Sequence, residues 1–434
     1  MSANDYTGCV EETFKHPTLA VGDYCPECSA CYSQGKLSLD DDPQVLVRLV
    51  GNPLITGTKY VAECLRCNLC KKRYQTAMPE EIKNKPKYDV TVPSTLAIGR
   101  YAMGLPLHRI ENSQETHGIP MPDATQYDLL EALHHQVKPV CDVLMQHAAN
   151  GELSIYDDTP GRILEHQAQG KATHTTAFVS VADNKKIHLF ITSEKHAGRN
   201  ASAILGQRTS DTAVIAMMDA SPSNIPKEMS IDLSARFILC FCLVHGRRKF
   251  FELFSFFEEQ CDFVLNIIGR VYKNDAHCKK KNLGPEERLL YHQQHSQKLM
   301  ENLYNWLNNQ LLYELLEMNS GLGAAVNYML RHWQPLTTFL RVAGAPLDSS
   351  WAERAIKIAI RHRRNSLFYK TPKGAQVGDC LMSLIYTAQQ NNKSPFDYLN
   401  TLQRHGPKVA ANPEQWLPWN YQDNFAIKSI ATTA

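Results

Sequence analysis

The sequence contains no apolar run long enough to cross a membrane. Its longest apolar stretch, FILCFCLV at residues 237–244, is far shorter than the roughly 20 residues that a membrane-spanning helix requires. The opening segment MSANDYTGCVEETFKHP is polar and acidic, without the apolar centre of a secretory signal. These absences predict a cytoplasmic protein with no membrane partner.

The sequence also lacks a strong net charge, with a formal value of only +2. Its 434 residues, 43% hydrophobic and 21% charged, have a globular composition and are enough for two to four domains. The basic residues are clustered at 245–250, 278–282 and 361–370. A single basic cluster is most commonly a solvated face, but a neutral total does not exclude a nucleic-acid surface.

Cysteine is abundant, and its distribution is uneven. Seven of the thirteen cysteines lie in the first seventy residues. Without a secretory signal, a disulfide framework is not expected, and metal binding is the simpler interpretation.

Two CxxC knuckles, CPEC and CNLC, are separated by a few dozen residues, which is the pattern of a zinc ribbon. Each knuckle directs two thiolates at one tetrahedral ion. Cys31 and Cys64 lie close enough in sequence to compete as ligands. Zinc ribbons bind nucleic acid or protein, or only stabilise a fold, so the motif does not define a function. The ligands that we select are Cys25, Cys28, Cys67 and Cys70.

Sequence periodicity divides the chain into segments. Residues 93–147 have helical spacing, in which a helix, a short turn and a second helix form either a helix-turn-helix or an ordinary helical hairpin. From residue 151, short apolar runs predict strands of an α/β core. The predicted segments are an N-terminal tail (1–20), a zinc ribbon (21–78), a helical domain (79–150), a core with a helical insertion at about 251–335 (151–372), and a C-terminal helical region with a tail (373–434).

Carboxylates follow two of the predicted strands. ELSIYDD is predicted to end at Asp157 and its neighbour, and TAVIAMMD ends at Asp219. Functional sites form at the carboxyl ends of strands in α/β sheets, although aspartates at such ends are also common turn residues. Two strand-end aspartates and a later helical glutamate would supply the ligands for a pair of Mg²⁺ ions.

The helical glutamate is Glu353, in the stretch LDSSWAERAIKIAIRHRRNSLFYK at residues 347–370. Two local roles account for it: a capping box with Ser350 as the N-cap, and an ion pair with Lys357 one turn later. The alternative is that Glu353 binds a divalent metal while the surrounding cations contact a phosphate backbone.

Several longer segments resemble the DDE transposases of the insertion-sequence-sixty-six family. The resemblance extends from about residue 21 to 425. The matching segments include GLPLHR (104–109), YDDTPGRIL (156–164), CLVHGRRKF (242–250), APLDSSWAERA (345–355) and HRRNSLFYKTPKGAQVGD (362–379).

This resemblance implies a ribonuclease-H-like mixed sheet core with a helical insertion. It also implies that Asp157, Asp219 and Glu353 are the catalytic carboxylates that bind Mg²⁺ or Mn²⁺. His245 belongs with Cys242 to a Cys-x-x-His signature, and either acts at the catalytic site or only packs. The cations expected to contact DNA are Arg247, Arg248, Lys249, Arg354, Lys357, Arg361 and Arg364.

The function expected from the resemblance is DNA transposition by two-metal phosphoryl transfer, in the bacterial cytoplasm and on the nucleoid. The expected partners are transposon ends, target DNA, small accessory proteins and further copies of the chain. The chain departs from the family at Ser349 and Ser350, where two asparagines are usual, and at its start, where a helical region usually precedes the ribbon. These departures favour an alternative, a non-catalytic zinc-ribbon DNA-binding regulator or an inactive transposase remnant; a nuclease without strand transfer is a third interpretation.

Overall fold

The structure is a computed structural model. It describes residues 18–24, 36–38, 54–62, 64–66, 73–75, 77, 79–313 and 316–426. The chain divides into two compact units, Met1–Leu54 and Ile55–Ala434. The predicted segments 79–150, 151–372 and 373–434 all fall within the second unit, and their exact boundaries stay predictions.

A short hairpin lies in the cysteine-rich region. Strands β1 (Cys64–Arg66) and β2 (Arg73–Gln75) pair antiparallel, with Leu65 opposite Tyr74. Strand β2, which follows the second knuckle, includes the aromatic residue Tyr74. The zinc ribbon itself stays a prediction, because its four ligands lie outside the described residues: Cys25, Cys28, Cys67 and Cys70.

A five-stranded mixed sheet forms the centre of the second unit. Its strands, in spatial order, are β5 (Lys185–Ser193), β4 (His174–Ala182), β3 (Leu153–Pro160), β6 (Val214–Met218) and β7 (Phe237–Phe241). The first three pair antiparallel, and β6 and β7 run parallel to β3. Both faces are covered, so most strand residues are buried, and these include polar ones such as Thr176 and Ser180. The predicted α/β class with a mixed sheet core is confirmed.

Helices precede the sheet and connect its strands. The two helices of the possible helix-turn-helix are α3 and α4, and α4 lies against β4, β5 and α6. That position makes α4 part of the layer covering the sheet, which favours the ordinary helical hairpin. The helices in this part of the chain are α1 (Glu80–Lys83), α2 (Thr91–Ala97), a π-helix (Ile98–Ala102), α3 (Leu107–Thr116), α4 (Asp123–Ala149), α5 (Leu164–Ala168), α6 (Ala197–Leu205) and α7 (Ile231–Ala235).

The described residues between β7 and the helix that carries Glu353 are mostly helical, and the insertion predicted there stays a prediction. Asp275 is buried there and forms ion pairs with Lys279 and Arg288, at 2.8 and 2.5 Å. The helices are α8 (Leu243–Glu252), α9 (Glu258–Lys280), α10 (Pro285–His295), α11 (Gln297–Leu312), α12 (Gly321–Arg331), α13 (Trp333–Leu336) and α14 (Ser350–Ser366). A 3₁₀ turn at Thr338–Leu340 lies between the last two.

Polar side chains of α15 (Pro372–Gln390) cover the edge strand β5. Thr192, Phe190 and His188 donate their backbone N–H groups to Asp379, Ser383 and Thr387, at 2.6, 2.9 and 3.0 Å. The three acceptors are four residues apart and therefore lie on one face of the helix. Backbone groups that an edge strand would leave unpaired are satisfied in this way.

The remaining helices follow α15. They are α16 (Pro395–Arg404), α17 (Gly406–Ala411) and α18 (Asp423–Ala426), with a 3₁₀ turn at Pro413–Trp416. A disulfide joins Cys141 of α4 to Cys380 of α15, although the cysteine pattern gave no reason to expect one. Within the described part of the chain, no helix is both long and apolar enough to span a membrane.

Candidate active site

Asp157 lies inside β3 and not at its end. The sequence predicted a strand ending in the two aspartates, and this is wrong because β3 continues to Pro160. The strand pairs with parallel β6 only from Leu153 to Ile155, whereas its antiparallel pairing with β4 extends along its full length. Asp157 therefore lies just beyond the end of the parallel pairing, where its side chain can face that of Asp219.

Asp219 directly follows β6, as predicted. One of its oxygens, Oδ1, accepts the backbone N–H of Ser221 at 3.1 Å, which holds the carboxylate in a tight turn. The same oxygen accepts the side-chain amide of Asn224 at 2.6 Å. Asn224 also donates to Oδ1 of Asp157 at 3.3 Å. One buried amide group thus joins the two predicted catalytic aspartates.

The burial and like charges of Asp157 and Asp219 favour the presence of a positive charge between them. Burial, and then the neighbouring carboxylate of Asp219, raise the pKa of Asp157 to about 6. The backbone N–H of Asp158 donates to Asp157 at 2.8 Å and opposes the rise. Close, partly desolvated carboxylates are stabilised by a proton or by a shared cation.

Glu353 takes neither of its expected local roles. Helix α14 begins at Ser350, with Ser349 as the N-cap residue and no side-chain capping bond, so the capping box with Ser350 is wrong. The hydroxyl of Ser349 donates instead to Glu353 at 3.4 Å. Within the described residues, Glu353 forms no ion pair with Lys357. The carboxylate is therefore not committed to its own helix.

Glu353 lies with the two residues of the Cys-x-x-His signature. One donor atom from each of Cys242, His245 and Glu353 lies within 4.8 Å of the others. Cys242 follows β7, and its backbone N–H donates to Met218, next to Asp219, at 2.9 Å. Its thiol accepts the backbone N–H of Ser349 at 3.4 Å, which ties the start of α14 to the end of β7.

His245 lies between the two groups of carboxylates. It is one of the two residues grouped with Glu353, and its proximity lowers the pKa of Asp157, against the effect of burial. Within the described part of the chain, its buried Nδ1 atom has no hydrogen-bond partner. A buried polar atom without a partner is more consistent with a ligand-binding role than with packing alone.

The donor set fits a divalent cation. Asp157 and Asp219 supply carboxylate oxygens, and Oδ1 of Asn224, in a residue that is 3% exposed, has no hydrogen-bond partner among the residues that the structure describes. Oxygen donors of this kind suit Mg²⁺ and Mn²⁺. Two groups of three metal-binding side chains occur among the described residues, and neither includes Asp157 or Asp219. Glu353 therefore does not lie with the two aspartates around one candidate ion position. His245 connects the two parts of the site, because it is grouped with Glu353 and also affects the pKa of Asp157.

The predicted cations near Cys242 lie on α8. Arg248 and Lys249 are exposed, and Arg247 is partly exposed. Arg247 stacks over the ring of Phe251 at 5.6 Å, and Lys249 lies over Tyr328 at 4.5 Å. In both contacts the charged group itself lies over an aromatic ring, which is a cation–π arrangement.

The predicted cations on α14 differ in their surroundings. Arg354, Lys357 and Arg364 are exposed and form no ion pair within the described part of the chain. Arg361 is exposed as well, but it donates to the backbone carbonyl of Ala102 in the π-helix. Arg361 is therefore partly engaged within the chain, and the other three keep their charges free.

Asn224 was not predicted from the sequence as a functional residue. The sequence signal that could have identified it is the position of this asparagine, five residues after the predicted ligand Asp219 and within a turn. Such a residue points back at the strand end only when the turn has the right shape, which the sequence does not specify.

Comparisons with known proteins agree with the expected family. Residues 87–377 match the model of the family described as "Transposase IS66 family". The relatives include three proteins of Sinorhizobium fredii: "Uncharacterized protein y4hP" is 24% identical over 83% of this chain, y4qI is 23% identical over 75%, and y4jD is 29% identical over 42%. The chain spans 67%, 61% and 36% of their respective lengths. Since the family model covers more than half of the sequence, the chain belongs to the IS66 family of transposases.

Proposed function

We propose that this chain cuts DNA at transposon ends and joins the freed 3′-hydroxyls to target DNA, with Asp157, Asp219 and Glu353 as the catalytic carboxylates. The observation that carries the proposal is the pairing of Asp157 with Asp219 through Asn224, in surroundings that raise the pKa of Asp157 to about 6. A site of this kind stabilises divalent cations.

Mg²⁺ or Mn²⁺, when bound by these carboxylates, would lower the pKa of an attacking water or hydroxyl and neutralise charge on the scissile phosphate. Asp157 and Asp219, spaced by Asn224, would hold such an ion, and Glu353 at the start of α14 would be a further ligand. Ser349 and Cys242 hold the start of that helix against β7. His245, whose donor atom lies near that of Glu353, would orient Glu353 relative to the aspartates.

The surrounding cations would hold the phosphate backbone. Exposed residues of α8 and α14 lie on the two helices that carry His245 and Glu353. Contacts of this type position DNA without reading its sequence. The residues assigned to this role are Arg247, Arg248, Lys249, Arg354, Lys357, Arg361 and Arg364.

The other parts of the proposal come from the family. The ribbon would bind Zn²⁺ through four cysteine thiolates and contribute to DNA binding or to folding. Two DNA ends are cut in each event, so at least two copies of the chain would act together, with small accessory proteins as further partners.

The test uses the full chain and labelled DNA carrying the ends of its own element. We expect wild-type protein with Mg²⁺ to give nicked and joined products, and Asp157→Asn, Asp219→Asn and Glu353→Gln to give neither while still binding the DNA. Asp183→Asn, at an exposed turn aspartate, is the matched control and should cleave normally.

Three results would contradict parts of this proposal. Cleavage by any of the three carboxylate variants would remove that residue from the site. Cutting without joined product would indicate a nuclease. DNA binding by wild-type protein without cutting would favour the regulator, an interpretation consistent with the grouping of Glu353 with Cys242 and His245 and not with the aspartates.

A further inference from the structure

A second cluster of metal-binding side chains lies next to the proposed active site but is not part of it. One donor atom from each of Asp158, His174 and His196 lies within 4.8 Å of the others. Asp158 follows Asp157 in β3, and successive side chains of a strand point to opposite faces of the sheet. The cluster is therefore on the other side of β3 from the proposed magnesium ligands.

Three elements bring these side chains together. Pro160 pairs with His174, which places the start of β4 beside the end of β3. His196 is the residue immediately before α6, and the backbone N–H of Ala197 donates to Asp158 at 3.0 Å. The rings of His174 and His196 have their centroids 3.8 Å apart.

Hydrogen bonds account for part of this arrangement. Oδ2 of Asp158 also accepts from Nδ1 of His196 at 2.9 Å, so a simple capping role explains Asp158 and His196. It does not explain His174, whose buried Nδ1 atom has no hydrogen-bond partner among the described residues. Two imidazoles tilted against each other beside one carboxylate, one of them with an unsatisfied ring nitrogen, are the donors that zinc-class ions prefer.

We propose that Asp158, His174 and His196 bind one divalent transition ion of the zinc class. Zn–N and Zn–O bonds of about 2.0–2.2 Å separate tetrahedral ligand atoms by roughly 3.3–3.6 Å, so donors within 4.8 Å need to move only slightly. Three protein ligands leave a fourth position for water. His196, with a side chain 46% exposed, places that position within reach of solvent.

The bound ion would stabilise the part of the sheet that carries Asp157. It would link the end of β3 to the starts of β4 and α6, and so fix the backbone next to the proposed catalytic aspartate. Nearby cations are partly paired, with Lys171 on Glu194 at 2.9 Å and Arg199 near Glu228 at 4.0 Å. Their repulsion of the ion is reduced accordingly.

The first experiment measures zinc in the full chain after dialysis against a zinc buffer. We expect His174→Gln and His196→Gln each to lose about one zinc ion per chain relative to wild type. His117→Gln, at an exposed histidine outside the cluster, should retain the wild-type content. Unchanged zinc content in His196→Gln, which replaces a half-exposed side chain and should fold normally, would overturn the proposal.

A second experiment separates this site from the proposed ribbon. Co²⁺ is substituted into wild type and into His196→Gln, and one absorption spectrum is subtracted from the other. We expect the difference to contain ligand-field bands without thiolate-to-cobalt charge transfer, because the lost ion has only nitrogen and oxygen ligands. Charge-transfer absorption in the difference would assign the lost ion to cysteines and overturn the proposal. Neither experiment depends on transposase activity.

Discussion

At the scale of single residues, the proposed metal site depends on the short separation between the carboxylates of Asp157 and Asp219. Burial, and then the nearby carboxylate of Asp219, raise the pKa of Asp157 to about 6, and Asn224 donates to both aspartates. An amide donor between two carboxylates fixes their spacing without neutralising them. The pair thus stays available for a cation.

Replacing Asn224 by alanine tests this arrangement. We expect the Mn²⁺ concentration for half-maximal strand cleavage to rise about tenfold or more, since groups that orient metal ligands typically contribute 10–100-fold in affinity. DNA affinity and thermal stability should change little. Asn266→Ala, at an exposed asparagine of α9, is the matched control. A metal dependence equal to that of wild type would show that Asn224 does not position the aspartates.

The proposed catalytic residues could be named from the sequence, but their arrangement could not. Asp219 is at the end of its strand as predicted, because an apolar run followed by an aspartate marks that boundary well. Asp157 lies within its strand because pairing with β4 continues after pairing with β6 has ended. Such unequal pairing depends on neighbouring strands, which local sequence does not encode.

At the scale of elements, α14 joins the proposed chemistry to DNA binding. Glu353 lies in its first turn, and Lys357 and Arg364 lie further along it, exposed and without ion pairs in the described chain. Arg361 instead donates to the carbonyl of Ala102. The helix therefore offers cations of two kinds, free and partly engaged.

Charge removal on α14 gives a measurable prediction. We expect the double variant Lys357→Ala, Arg364→Ala to bind DNA more weakly, with a logarithmic salt dependence less steep by about 0.9 for each phosphate that the variant no longer neutralises. Lys408→Ala, at an exposed lysine of α17, should match wild type. A salt dependence identical in the double variant and in wild type would place the DNA elsewhere.

The contact between α15 and β5 makes a prediction about pH. Burial raises the pKa of Asp379 to about 7, although the backbone N–H and hydroxyl of Thr192 both donate to it. The folded chain therefore retains a proton on Asp379 that the unfolded chain loses near pH 4. As pH rises through this window, the unfolded state binds fewer protons than the folded state, and stability falls.

We expect the unfolding free energy of wild type to decrease by roughly 1–3 kcal/mol more than that of Asp379→Asn between about pH 4.5 and 7.5. Denaturant titrations at several pH values measure the difference. Asp183→Asn, at an exposed aspartate, should follow the wild-type curve. Parallel curves for wild type and Asp379→Asn would show that Asp379 is ionised throughout.

The hydrogen bonds between side chains of α15 and the backbone of β5 were not predicted from the sequence. Asp379, Ser383 and Thr387 are polar residues at helical spacing, a pattern that normally indicates a solvent-exposed face. They are buried because an edge strand presents unpaired N–H groups to them. The partner lies almost two hundred residues away, so the polar stripe could be interpreted only once the sheet order was known.

At the scale of the whole molecule, one compact unit contains the proposed catalytic residues, the helices between β7 and α14, and the C-terminal helices. The strands and the helical segments were predictable because each has a clear apolar period. The zinc ribbon was predicted from four cysteines that fall outside the described residues, so it needs a direct test.

Zinc analysis provides that test. We expect Cys25→Ser and Cys67→Ser each to lose one zinc ion per chain and to expose residues 21–78 to proteolysis, because structural zinc contributes folding free energy. Cys9→Ser, outside both knuckles, is the control. Equal zinc content in all of these variants would remove the ribbon from the account.

The most direct test of the central claim is anomalous diffraction from crystals soaked in Mn²⁺. We expect an anomalous peak from a Mn²⁺ ion held by oxygens of Asp157 and Asp219, with Glu353 as a ligand of the same centre. In two-metal sites the ions lie about 3.5–4 Å apart, so a second peak at that separation would complete the proposed arrangement. No peak between the two aspartates, with Glu353 still grouped with Cys242 and His245, would contradict it.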